Sequence, residues 1–558
     1  MSLNRTVFAN RILPFLCGLS FLVGSAPHVE ATDLAANGQA LQSVVVSERA
    51  SERVQSAANT LADYLGRMSG TEFAVTTGSG ETGIVVGRGE DFPELELAGL
   101  FDAGAIDKRE EYLLRSHAEG LWILGATDLA VENAVWDLLY RLGYRQFFPG
   151  ANWEVVPNLP ALSIEVDVFE RPAYLSRRIW YGWGPWDYAA QPYQDWCAKN
   201  RCVQGVSLNT GHAYGRIIKW ARDEFDAHPE YWPLMDGERK PGDNAKPCLG
   251  NPAVRVLFVE YALAQFEDDP SLDSISVDPS DGGGWCECEL CGNLGTVSDQ
   301  AVTVANEVAA AVNAEFPGKL VGMYAYNYHS PPPGIPVHPN VVISVATAFL
   351  KGGYSLDEII AGWSEQGATL GIREYYSVNT WDRDLPAEAR GGNLNYLCST
   401  IPAFHAKGAR YLSAESSDNW GPNGLGYYLA ARMLWDLEEA QRTDALVADF
   451  LQRAFGPAQA PMRVFYEQLD GSKPHLVADD QLGRMYRALK EARALAGSPE
   501  ITARLNDLTL YARYCSLYRA YAAADGAERQ AAFEALLRHA YRMRTTMMVH
   551  SKALYRDL

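Results

Sequence analysis

Along residues 32–150 the apolar positions switch between a spacing of two and a spacing of three to four, as they do where strands alternate with amphipathic helices. Leu41–Val46 and the run Gly83–Gly87 predict strands, and Glu111–Arg115 with Leu121–Leu124 predicts a hairpin turning at His117–Gly120. Val54, Ala58, Leu61 and Leu65 share one face of a helix over Ser51–Met68, for which Ser51 is the natural cap. A second helix, Leu129–Leu142, starts at Asp128 and stops at Gly143. No nucleophile, metal set or glycine fingerprint stands out in this stretch.

From Leu175 the pattern becomes short β-branched runs separated by helical stretches. Leu175–Trp180, Gly205–Leu208, Ser274–Val277, Leu320–Tyr326, Val341–Val345, Thr369–Tyr375 and Ala409–Ser413 predict strands, and Tyr231–Leu234 is assigned an eighth. That count predicts a (β/α)8 barrel. After Leu425 strands disappear, and Leu425–Glu438, Thr443–Phe455, Pro461–Leu469, Asp480–Ala496, Ile501–Ala524 and Glu528–Ser551 read as helices. The expected organisation is an α/β fold. Residues 1–31 are a signal peptide, 32–168 a small α+β domain, 169–424 a catalytic (β/α)8 barrel, and 425–558 an α-helical domain.

Charge and the N-terminus narrow the function classes. A formal net charge of −21 argues against a nucleic-acid partner, whose phosphates need a surplus of Lys and Arg. Arg5 and Arg11 precede the apolar run Ile12–Val23 and the small residues Gly24-Ser25-Ala26, the layout of a secretory signal too short to span a bilayer. No later run reaches the length of a membrane helix, so the expectation is a secreted protein, periplasmic or extracellular, without a membrane span. Cys17 departs with the signal and leaves an even number of cysteines, which an oxidising compartment permits to pair.

In a barrel of this kind the chemistry sits just beyond the C-terminal ends of the strands. Acids stand there: Asp278 and Asp281 in SISVDPSDGGGWCECELC (Ser274–Cys291), Glu374 in Arg373-Glu374-Tyr375-Tyr376, and Glu415 after Tyr411–Ala414. Two carboxyl groups flanking one bond are what glycoside hydrolysis requires, one as acid and one as base or nucleophile. Asp281 is assigned the acid, and Glu374 or Glu415 the second role; as an alternative, each is a solvated loop residue or helix cap. Asp278, restricted by Pro279, suits the holding of a neighbouring group at the substrate site. Tyr324, Tyr326, Asn327, Tyr376, Trp381 and Trp420 supply flat faces and polar groups for a sugar, or else pack. Arg178 can clamp an acidic sugar or pair with a neighbouring acid, and His212 can bond a substrate hydroxyl or sit satisfied in the interior.

Cys286, Cys288 and Cys291 lie in the same loop as Asp281. With Cys248 they make a structural four-thiolate zinc site or, alternatively, disulfides. Neither version leaves an open position for a catalytic water, so no cofactor is expected for catalysis. Cys197 and Cys202 are placed to pair with each other, and Cys398 and Cys515 are assigned as buried thiols.

Gly120–Gly150 (GLWILGATDLAVENAVWDLLYRLGYRQFFPG) resembles the small N-terminal domain of α-glucuronidases and β-hexosaminidases. NPAVRVLFVEYA, DGGGWCECELC and AESSDNWG…YYLAARMLWD resemble the bacterial family called domain of unknown function 4838, itself similar to α-glucuronidases. The likeness runs from about Leu41 to the last helices. It implies a barrel with carboxylates from different strands sharing the work, though here Asp281 stands inside a cysteine-stapled loop. The favoured function is a secreted glycoside hydrolase acting on a glycan, with uronic-acid or amino-sugar units among the candidates. The alternative is a non-catalytic carbohydrate-binding protein on the same scaffold. A zinc hydrolase ranks last, because three clustered thiolates crowd a metal and no HExxH helix appears.

Overall fold

Val44-Val45-Val46 and Ile84-Val85-Val86 pair in parallel, and the neighbouring Tyr112–His117 and Gly120–Gly125 form the expected antiparallel hairpin. In this computed structural model, which describes residues 31–473, 475 and 478–557, these strands belong to a six-stranded mixed sheet completed by Val75–Thr77 and Asp167–Glu170. The segment read as an export signal, with Cys17, lies outside the described residues apart from Ala31. Helix Glu52–Ser69 starts where Ser51 Oγ accepts from Val54 N and ends at Gly70 in the left-handed conformation. It and helix Asp128–Arg141 bury their apolar faces in one core with the sheet.

The second sheet holds six parallel strands: β1 (Ser176–Tyr181), β2 (Ser274–Ser276), β3 (Leu320–Asn327), β4 (Val341–Leu350), β5 (Thr369–Tyr375) and β6 (Tyr411–Ser416), in the order β1-β6-β5-β4-β3-β2. The expected eight-stranded count is therefore corrected to a curled six-stranded sheet. Gly205–Leu208 is not a strand, and Tyr231–Leu234 belongs to a turn and a two-residue hairpin arm. Residues 203–213 instead bridge the gap between β1 and β2. Arg177 N donates to Val203 O and Val206 N to Leu175 O on one side. On the other, Ser274 Oγ donates to Ser207 O and Ser276 Oγ to Gly211 O, so serine side chains replace a ladder.

Helix Trp420–Trp435 follows β6 directly and is buried at every residue, as a helix enclosed by other elements must be. It runs through residue 424 without interruption and packs against both the sheet and the later helices. Its first turn is closed from far along the chain: Trp420 N and Gly421 N donate to Met547 O and Met548 O, and His550 N donates to Asp384 Oδ2 at 2.7 Å. The predicted final helix Glu528–Ser551 ends at Met543, and the chain resumes as Ser551–Asp557 after this closing segment.

Two polar clusters, one buried and one part-buried, tie the first sheet to the second. Arg177 on β1 is fully buried and ion-pairs with Glu110, which also accepts from Asn133 Nδ2 at 3.0 Å. Arg177 spends its other donors on Tyr174 O and Arg201 O, so no charge is left uncompensated. Glu154 accepts from Tyr64, Tyr144, Arg67 and Lys199. Burial by itself would raise its carboxyl, but the bonds from Tyr64 and Arg67 and the Lys199 ammonium outweigh it and bring it down to about 2.

Removing one partner of a buried pair strands the other. Glu110→Ala should cost about 3–5 kcal/mol, read as a lowered midpoint in urea unfolding; an unchanged midpoint would contradict the role given to the pair. Glu154 has a depressed value in the folded state, so its stabilisation is present above the unfolded carboxyl range and lost as pH falls toward 2. Glu154→Gln should therefore lower the melting temperature at pH 7, by the equivalent of roughly 1–3 kcal/mol, and the gap from wild type should close on acidification.

Candidate active site

Side chains of successive strand residues point to opposite faces, and partners in a parallel ladder point the same way. On β5 and β6 the register pairs Arg373 with Ser413, Glu374 with Ala414 and Tyr375 with Glu415. Arg373, Tyr375 and Glu415 therefore face the inside of the curled sheet, and Glu374 faces outward. At the C-terminal ends of the strands the inward set opens into a cavity of about 300 Å³. It is lined by His212, Asp281, Tyr324, Tyr326, Phe349, Arg373, Tyr375, Val378, Thr380, Trp381 and Glu415.

Glu415 is held by Arg373, whose Nη2 donates to Oε2 at 2.5 Å, and Gly182 on the adjacent turn leaves the space it needs. A Cβ at Gly182 would stand 2.2 Å from Glu415 Oε1. The Arg373 guanidinium also lies over the rings of Tyr375 (4.5 Å) and Trp180 (4.8 Å), which fixes it without a second acid. Asp281 enters from the glycine loop after β2, exposed to the cavity, where burial and then the Asp281 charge hold the Tyr326 phenol above its usual range. Lys246 Nζ donates to the carbonyls of Asp281 and Gly283, which anchors that loop from below.

Asp278 is fully buried and fixes its neighbours. Its Oδ2 lies 2.6 Å from His212 Nδ1, and its Oδ1 accepts from Tyr324 N at 2.7 Å. Burial lowers the His212 imidazole, but the Asp278 hydrogen bond and charge and the Pro279 carbonyl outweigh it, and the ring titrates above its usual value. With Nδ1 occupied, Nε2 is the nitrogen left to the cavity, in the manner of a carboxylate-oriented histidine.

Rings close one side. Phe349 meets Tyr326, Tyr375 and Trp381 at centroid distances of 5.7, 5.7 and 5.5 Å, and Tyr375 meets Trp381 at 5.6 Å. Phe349 sits at φ +60°, a conformation a bulky side chain adopts only under constraint, and it is half exposed. Trp381 is 50% exposed, an apolar surface offered to the cavity mouth.

The structure thus gathers Asp281, Glu415, His212, Tyr324, Tyr326 and Trp381 at one cavity, and it corrects the remaining expectations. Glu374 is 0% exposed and locked by Thr347, Tyr396 and Arg390, so it is a structural acid away from the cavity. Asp278 is buried away from the cavity and meets it only through His212, whose Nδ1 lies 2.6 Å from Oδ2. Tyr376 and Trp420 are buried, the latter donating from Nε1 to Tyr181 OH among Phe148, Trp196 and Tyr427. Asn327 turns the chain after β3, its carbonyl accepting from Ser330. Arg178 lies over Trp180 and does not line the cavity. Cys197 and Cys202 are separate thiols, and Cys398 is only partly buried, whereas Cys515 is buried. Arg373, Tyr375 and Phe349 went unassigned; alternation along Arg373-Glu374-Tyr375 carried the signal for the first two.

The sequence profile described as a domain of unknown function (DUF4838) matches residues 148–468, more than half of the chain. No curated protein matches it. Among solved structures, a family GH115 4-O-methyl-α-glucuronidase, BtGH115A, with specificity for decorated arabinogalactans, is similar at 11% identity and a TM-score of 0.57. The likeness covers 92% of this chain and 79% of that one, and shows a shared α/β fold with a curled parallel sheet. A second structure, CpGH84B, aligns at 12% identity and a TM-score of 0.47, over 95% of this chain and 98% of that one.

Glu374 and Asp281 differ in burial, 0% exposed against an exposed loop position, and thermal unfolding separates them. Glu374→Ala should cost about 1–3 kcal/mol by leaving the Thr347 and Tyr396 hydroxyls without their acceptor, while Asp281→Asn, on an exposed loop, should stay within about 0.5 kcal/mol of wild type.

Proposed function

The chain belongs to the DUF4838 family, and we propose that it is a glycoside hydrolase in which Asp281 and Glu415 flank the scissile bond. The observation that carries this reading is that these two carboxylates, from the ends of different strands, face one aromatic-walled cavity. Glu415, paired with Arg373, is the anionic partner, base or nucleophile. Asp281, on the exposed glycine loop across the cavity from it, is the proton donor to the leaving oxygen. Phe349, Tyr375 and Trp381 offer apolar faces for a sugar ring, and His212 Nε2 bonds a ring hydroxyl. A glycan substrate is consistent with a cavity at the small end of ligand sites, sized for one sugar unit at a chain end.

The fold shared with an α-glucuronidase supports the reaction class and leaves the sugar to experiment. Export belongs to the same proposal, carried by the Arg-flanked apolar run Ile12–Val23. Among the described residues no helix is long and apolar enough to cross a membrane.

Wild type, Asp281→Asn and Glu415→Gln should be compared on aryl glycosides and on plant or algal oligosaccharides, uronic-acid and amino-sugar substrates included. Turnover by wild type should fall about 10²–10⁴-fold in each variant. An aryl glycoside with a very acidic leaving group should restore much of the Asp281→Asn activity and none of the Glu415→Gln activity. Equal turnover in all three would overturn the assignment of both acids. Glycan binding without turnover in wild type would replace the enzyme reading with that of a carbohydrate-binding protein.

A further inference from the structure

Behind the Asp281 loop, four cysteine sulfurs converge from two segments far apart in the chain. Cys248 comes from the turn before helix Pro252–Asp268, and Cys286, Cys288 and Cys291 follow the glycines after Asp281. All four Sγ atoms lie within 4.8 Å of one another. Cys248 Sγ is 3.3 Å from Cys288 Sγ and 3.8 Å from Cys291 Sγ. A disulfide brings two sulfurs to about 2.05 Å. Four thiolates bound to one tetrahedral ion at ~2.3 Å stand about 3.8 Å apart, as Cys248 and Cys291 do here, and all four sulfurs lie within 4.8 Å of one another.

The surroundings favour thiolates over thiols. Leu234 N donates to Cys286 Sγ at 3.2 Å, Gly250 N to Cys291 Sγ at 3.2 Å, and Arg239 Nη1 approaches Cys286 Sγ at 3.8 Å. Backbone N–H groups and a guanidinium aimed at sulfur are the outer contacts that a negatively charged metal–thiolate centre uses. Close approach of the two segments also needs Gly250, where a Cβ would stand 2.2 Å from the Leu290 carbonyl carbon. Cys248, Cys286 and Cys291 are buried and Cys288 is partly so, which leaves little access for a fifth ligand.

We propose that Cys248, Cys286, Cys288 and Cys291 bind one zinc ion in a closed, structural site. Tetrahedral sulfur coordination selects zinc or iron, and a single ion fits sulfurs this close better than a multi-iron cluster, which spreads its thiolates apart. The ion joins the loop carrying Asp281 to the 234–250 segment carrying Lys246, the residue that grips the Asp281 and Gly283 carbonyls. Zinc here positions the Asp281 loop and takes no part in bond cleavage. The site itself stands on the four sulfurs and the donors around them; its service to Asp281 rests on the hydrolase reading above.

The test is metal analysis of the full chain, purified without added metal or chelator. Zinc should be found at about one ion per chain, and titration with an organomercurial should release it, followed by a zinc-binding dye. Cys288→Ser combined with Cys291→Ser should lose at least about nine-tenths of that zinc, whereas Asp281→Asn should keep all of it. Should the double variant not fold, the wild-type stoichiometry and mercurial release still decide. Absence of metal with these cysteines recovered as disulfides by mass spectrometry overturns the proposal, and so does iron in place of zinc. Because Asp281→Asn is assayed for metal and for turnover separately, failure of the zinc site and failure of the hydrolase reading give different results.

Discussion

The pairing register of β5 with β6 decides what this molecule can do. Tyr375 stands opposite Glu415, so Glu415, Tyr375 and Arg373 share the inner face and Glu374 is sent to the outer one. A slip of one residue would exchange the two faces, place Glu374 inside and bury Arg373 among helices. The register is held from both sides. On the inner face Arg373 bonds Glu415, and on the outer face Glu374 bonds Thr347, Arg390 and Tyr396. The outer acid thus guards the geometry of the inner one, which explains a buried charge with no access to the cavity.

A second constraint comes from the place where the sheet lacks a regular strand. Between β1 and β2 the ladder is replaced by Ser274, Ser276 and Asp278, which reach across to 207–213. Side-chain bridging lets residues 203–213 follow a path no strand would take, and that path delivers His212 to the cavity with Nδ1 already engaged. The irregular segment and the oriented histidine have one cause. Asp278 serves both, closing the gap through His212 and Tyr324 N while staying out of reach of any ligand.

These two constraints separate what could be read from the sequence from what could not. The run of β4 announces a strand because a parallel strand buried on both faces is near-continuously apolar, whereas β1 and β6 set Arg177, Arg178, Ser413 and Glu415 among their apolar residues. The 203–213 bridge announces nothing, since its partners are hydroxyls and a carboxylate with no period. Asp281, Glu415, His212 and Trp381 stand where strands end, and position alone suggested them. Glu374, Tyr376 and Trp420 stand equally near strand ends but point elsewhere, and direction depends on register, which no single strand declares. Trp420 shows the limit most plainly: it reads as a sugar platform beside Asn419, yet it opens a helix enclosed on every side. The cysteine spacing predicted a cross-link, and the meeting of Cys248 with the other three, all four sulfurs within 4.8 Å of one another, became visible only in three dimensions.

The closing segment Met547–His550 gives the molecule a temporal order. Helix Trp420–Trp435 follows β6 directly, yet its first amide groups find their acceptors on residues near the far end of the chain. His550 meets Asp384 across 166 residues of sequence. A chain emerging from the ribosome or a translocation pore can form its strands early, but it holds an open helix start in its core until these last residues arrive. Such distant contacts form late and are reached slowly. The start of this buried helix is accordingly the last part of the fold to set, and a chain released short of Met547 would carry its cavity-lining residues beside a helix whose first amides lack their acceptors.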